Sequence, residues 1–136
     1  MASFQKGDGM KRRQLLATIL KSIAVGIVGS RSTAAQDDLD PVKLMPDTHK
    51  VIFENSFVRV VEGRVPAGGR EIKHRHPHNV MVFLADFDAE TRTFPDDKWT
   101  PSHRTFGTAT WNEASVHEIK IGANAPSHTI RIELKY

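Results

Sequence analysis

Beyond its first 35 residues the sequence predicts an all-β fold, a sandwich or closed barrel of short strands. Three observations predict it. Short β-branched and aromatic stretches recur between residues 51 and 134, punctuated by turn residues. No ten-residue stretch after position 35 carries the 3.6-residue apolar period of an amphipathic helix. The remaining length, about 100 residues, suits one domain with a single modest core.

The leader comes first. Met10-Lys11-Arg12-Arg13 is basic, Leu15 to Gly29 is mostly apolar, and Ser32-Thr33-Ala34-Ala35 supplies small residues before a run of acids. These are the three regions of a secretory signal peptide, so residues 1–35 are expected to be cleaved after Ala34 or Ala35, with Met10 as an alternative start. The apolar run is about 15 residues and is broken by Lys21, short of the roughly 20 that span a bilayer. The domain is therefore expected in the periplasm or outside the cell, touching a membrane only through an uncleaved leader. Arg12-Arg13 before Gln14-Leu15-Leu16 also resembles a twin-arginine signal, and Sec export is the equal alternative.

Residues 36–49, acidic and broken by Pro41 and Pro46, read as an extended arm, and residues 50–136 as the domain. Val51-Ile52-Phe53 and Phe57 to Val65 are strand-like, and Pro66-Ala67-Gly68-Gly69 is a turn. A strand carrying histidines follows, then the apolar run Val80 to Leu84, expected to be buried. Thr91 to Phe94 and Arg104 to Phe106 are weaker strands on either side of a polar loop around Pro95 to Ser102. Thr108 to Trp111, Val116 to Ile121 and Thr129 to Leu134 complete the set, the last with Ile130, Ile132 and Leu134 expected inward and Arg131, Glu133 and Lys135 outward.

Charge and cysteine content exclude several functions. The chain has a net charge of +3, from 19 basic and 16 acidic residues. Residues 1–35 hold six Lys/Arg and one acid, Asp8, which leaves 13 basic and 15 acidic residues, net −2, for the rest. No basic face remains for nucleic acid. With no cysteine, disulfides, thiolate metal sites and cysteine nucleophiles are excluded, and imidazole and carboxylate are the ligands left.

Chemistry concentrates in Gly68-Gly69-Arg70-Glu71-Ile72-Lys73-His74-Arg75-His76-Pro77-His78. Strand alternation puts His74 and His76 on one face, with Cα atoms about 6.6 Å apart. Pro77 suits the strand end. A third imidazole, His117, lies 41 residues beyond His76, and a sheet closed on itself brings it opposite the pair. Three neutral imidazoles suit Fe, Zn, Ni or Cu and leave open positions for water or substrate.

These residues carry a family resemblance. Gly68, five residues, then His74-Arg75-His76 is similar to the first half of the cupin signature, and Trp111 to His117 with Pro126 nine residues later resembles the second. The resemblance covers residues 50–136 and implies a jelly-roll β-barrel of two sheets with a divalent metal held by His74, His76 and His117. Dimers are common in that family, so a homodimer is an expectation. The signature's glutamate is missing, its positions being Val80 and Met81, which disfavours hard ions such as Mn. His78 or Asn79 is the alternative fourth donor, with a solvent-facing loop the plainer reading for His78. Glu113 is a general-base or supporting candidate whose plainer reading is a turn residue. Arg70 and Lys73 read as solvated charges, with contact to an anionic substrate the sharper alternative. His49, His103 and His128 fit no pattern and read as surface residues. Trp111, Met81 and Phe83 read as barrel lining or core, with Val80, Met81 and Phe83 shaping a dry pocket. Two functions stay open: a metal-dependent enzyme acting on a small molecule by Lewis-acid or dioxygen chemistry, and a non-catalytic domain binding a small ligand or having lost its metal.

Overall fold

The structure is a computed structural model that describes residues 38–136; the leader expectations lie outside the described residues. None of the described helices is long and apolar enough to cross a membrane.

The segment expected as an extended arm carries one helical turn, α1 (Pro41–Leu44). Asp40 caps it by accepting a hydrogen bond from the Val42 amide, and Pro41 has the backbone angle that a first helical position needs. The turn is tied to the barrel by the Arg75 amide, which donates to the Leu39 carbonyl at 2.8 Å. Nine strands follow: β1 (His49–Glu54), β2 (Val58–Val65), β3 (Arg70–His76), β4 (Asn79–Phe83), β5 (Phe87–Thr93), β6 (Trp99–Arg104), β7 (Ala109–Asn112), β8 (Ser115–Ile121) and β9 (Ser127–Leu134). They form a five-stranded sheet in the order β1-β2-β9-β4-β7 and a four-stranded sheet in the order β3-β8-β5-β6, all pairings antiparallel. The predicted all-β jelly-roll barrel is what the chain forms.

Two element assignments change. The polar stretch expected as a loop contains β6, and Thr105 to Gly107 is a turn rather than a strand. β6 holds Pro101, which a central strand could not accommodate, and it sits at the edge of its sheet, where a missing N–H costs no ladder bond.

The larger change is the orientation of β9. Arg131 and Glu133 are buried inside, while Ile130, Ile132 and Leu134 lie half-buried on the opposite face. Register explains the reversal. Phe53, Val60, Ile132, Val80 and Trp111 are paired in one row across all five strands, so the apolar set of β9 belongs to an outward apolar row. Val80 and Trp111, expected as lining or core, are corrected with it: Val80 is half-buried and Trp111 is 55% exposed. The run Val80 to Leu84 therefore alternates rather than being buried throughout.

Inside, the barrel is graded. Val65, Met81, Phe83, Phe87, Ala89 and Ile121 form the apolar core. On β8, His117 lies four residues from Ile121, about 13 Å along the strand, with both pointing inward. One end of the interior is thus apolar and the other polar, and both sheets contribute to the polar end.

Candidate metal centre

β3 and β8 bring the three predicted histidines together. His74 is the register partner of His117, and His76 follows two residues on, pointing the same way. Their ring centroids are 4.8 Å (His74–His76), 4.5 Å (His74–His117) and 5.3 Å (His76–His117) apart. All three side chains are buried, and one nitrogen from each lies within 4.8 Å of the others.

Hydrogen bonds behind the rings decide which nitrogens face inward. The Nδ1–H of His74 donates to the Ile72 carbonyl at 2.6 Å, and a carbonyl can only accept, so the lone pair of the neutral ring is on Nε2. His76 Nδ1 is 2.5 Å from the Glu133 carboxylate, a bond from the opposite sheet that sets the same tautomer. His117 Nδ1 meets the Ser115 hydroxyl at 3.1 Å. The three Nε2 atoms are buried without a hydrogen-bond partner among the described residues. Such orphaned acceptors are costly unless something binds them. Burial pushes His74 down to about 4, and His76 and His117 further below the usual imidazole range, with neighbouring positive charges adding to the effect. The rings are therefore neutral at pH 7, the state in which imidazole ligates. These residues fit a metal ion, which His74, His76 and His117 could hold.

Four neighbouring groups escaped sequence reasoning. Glu71 is buried with Oε2 3.5 Å from His74 Nε2, and burial pushes its carboxyl up to about 7 despite the opposing pull of Arg131. His49, read as a surface residue, is buried instead, its Nε2 3.8 Å from Glu71 and its Nδ1 3.0 Å from the Thr48 hydroxyl. Gly63 opposite it makes the room: a Cβ there would come 2.8 Å from Thr129 Oγ1 and 3.6 Å from His49 Nε2. Glu133 is held on its other oxygen by Arg59 at 2.6 Å, and Arg59 reaches Asp40 at 2.7 Å, so two ion pairs and a hydrogen bond link the cap of α1 to His76. Arg131, fully inside, donates to Asn79 Oδ1 and Met81 Sδ, both at 3.0 Å. No local signal marks these residues, because a bulge in β3, the inverted face of β9 and the space left by Gly63 place them.

Other candidates lie elsewhere. His78 pairs with Glu113 at 3.0 Å and stacks on Trp111, all three exposed, so neither His78 nor Glu113 reaches the triad. Asn79 is occupied by Arg131 and Asn112. Arg70 pairs with Glu118, and Lys73 lies over Phe94 on the surface. His103 is exposed beside Asp88, and His128 is half-buried beside Glu62.

No protein-family model matches the chain, and no curated protein matches it. Solved structures do. A cupin domain from Bordetella pertussis Tohama I is 26% identical, with a TM-score of 0.58, the alignment covering 65% of this chain and 92% of that one. An RmlC-like cupin family protein with a double-stranded β-helix fold from Methanocaldococcus jannaschii matches at 10% identity and a TM-score of 0.51, over 63% of this chain and 77% of that one. Two antiparallel sheets, three buried histidines facing one point and these likenesses together identify the described domain as a small single-domain cupin fold.

Proposed function

We propose that the protein is an exported, metal-dependent cupin enzyme in which His74, His76 and His117 hold one divalent ion that acts on a small molecule. The observation that carries this is the convergence of three buried, neutral, unpartnered Nε2 atoms. A divalent ion bound there supplies Lewis-acid polarisation of a ligand oxygen, or redox chemistry if it is Fe or Cu.

The chain's own residues do the rest. Glu133 and the Ile72 carbonyl fix two ring orientations, as carboxylate and carbonyl partners of ligating imidazoles commonly do. Glu71 stands next to His74 with its proton affinity raised to about 7, so it can take or return a proton at Oε2 near neutral pH. Phe83, Phe87 and Ile121 make the far end of the interior apolar. Export rests on the leader sequence, and a size shift between whole-cell and periplasmic fractions tests it.

The second reading, a binder without catalysis, is favoured by Val80 and Met81 standing where the cupin signature has its carboxylate. Metal analysis of protein purified without chelator, followed by oxygen uptake and product analysis with thiols, diketones and phenols, separates the two. Stoichiometric metal with substrate-dependent turnover supports the enzyme; metal without turnover supports the binder. His76→Ala is expected to abolish stoichiometric metal and to remove the rise in melting temperature that the ion gives the wild type. Unchanged metal content in that variant defeats the ligand assignment.

A further inference from the structure

A cavity of about 30 Å³, bordered by the triad's neighbours Glu71 and His49 but by none of the three histidines, has room for one or two waters or one compact polar group. Its wall includes His49, Glu71, Met81, Phe87, Arg104 and Arg131. Two of these are guanidinium groups, and neither has a carboxylate within 4 Å among the described residues. Arg131 is 7% exposed and uses a neutral amide oxygen and a thioether as acceptors. Arg104 is half-buried, and its guanidinium lies over the Phe83 ring at 5.2 Å. Burial disfavours both charges, and Arg104 adds to the penalty on Arg131.

Interior charges are normally paired, because desolvating an ion without a partner is costly. Arg59 obeys this rule, taking both Asp40 and Glu133. Glu71 and Glu133 act on Arg131 only from beyond ion-pairing distance. What sets the cavity apart is that two guanidinium groups line it without a carboxylate in direct contact with either. Thr91 and Arg104 also border a surface cleft with Asp96, Lys98, Thr100 and Ser102.

We propose that this cavity is the subsite for a small organic carboxylate, whose anionic head is gripped between Arg104 and Arg131 while the remainder points to the triad or the cleft. Paired N–H groups of a guanidinium match the two oxygens of a carboxylate, and the volume admits that head but no phosphate ester. What then happens to the carboxylate rests on the metal reading; the grip itself rests on the two arginines.

Titration calorimetry and thermal melting of the full-length protein, metal-loaded and chelator-treated, with acetate, propionate and malonate as probes and acetamide and propionamide as neutral controls, test it. At least one carboxylate is expected to bind and to raise the melting temperature, with the amides silent. Arg104→Gln and Arg131→Gln should each weaken that binding by tenfold or more at unchanged metal content. If Arg131→Gln does not fold, Arg104→Gln, at a half-exposed position, decides alone. Absence of carboxylate binding to metal-loaded wild type, or binding unchanged in the variants, overturns the subsite and leaves the metal reading standing. Carboxylate binding that survives in protein unable to take up any metal supports the subsite and defeats the metal reading.

Discussion

Glu133 reaches His76 from the opposite sheet, and the consequence for the ion can be measured. A carboxylate accepting the Nδ1 proton makes Nε2 a stronger donor and locks the ring plane, and losing such a partner typically costs 10- to 100-fold in metal affinity. Glu133→Gln keeps the shape but not the charge, so metal affinity is expected to fall by about tenfold or more. Competition with a chromophoric chelator reads the change, and an affinity equal to wild type contradicts the role. The three ligands were legible because two of them follow strand alternation and the third sits in a stretch of matching character. Glu133 and Arg131 were not legible. In β9 an alternation of apolar and charged residues fits a strand with either face inward, and nothing local says that the barrel's interior is the polar side. His49 was missed for a related reason: its burial depends on Gly63 of the neighbouring strand leaving space for the ring.

β3 shows how one irregularity positions two functional groups. Its pairing with β8 shifts between Glu71 and His74, which lie three residues apart while their partners Ile119 and His117 lie two apart. The extra residue is a β-bulge, which is why both Glu71 and His74 face the interior although an odd spacing separates them. It also brings the Ile72 carbonyl within 2.6 Å of His74 Nδ1. Deleting Lys73 should restore simple two-residue alternation with Glu71 and His74 still inward. Strand pairing and a folded circular dichroism spectrum are expected to survive, while metal binds more weakly because His74 loses its carbonyl brace. A deletion that unfolds the domain, or leaves metal affinity untouched, refutes this role of the bulge. A strand and its two histidines could be read from residues 68–78, but a bulge between exposed Ile72 and Lys73 leaves no mark in composition.

For the whole molecule, an interior built around neutral imidazoles predicts how stability responds to acid. His49 and His74 are pushed down to about 4, and His76 and His117 are lowered as well, in each case mainly by burial. In the unfolded chain these rings take up protons near pH 6.5, so as pH falls from 6.5 towards 4 the unfolded state binds more protons than the folded one. Folding stability then falls with pH over that window. Two carboxyls oppose this. Glu71 is raised to about 7 and Glu133 is also raised, both mainly by burial, so the folded state takes up their protons first as pH falls. Four rings against two carboxyls leave a net loss on the order of a few kcal/mol. Arg131 stays charged throughout and adds to the penalty for any proton on the rings. The metal-free melting temperature should therefore drop steadily between pH 6.5 and pH 4, and the extra stability given by Zn or Fe should shrink over the same range as protons compete for Nε2. Scanning calorimetry of both forms at half-unit pH steps reads the two trends together. A metal-free melting temperature that is flat or rises on acidification means that the rings are not held neutral by burial, and a metal increment that persists at pH 4 means that the ion sits on ligands other than these histidines.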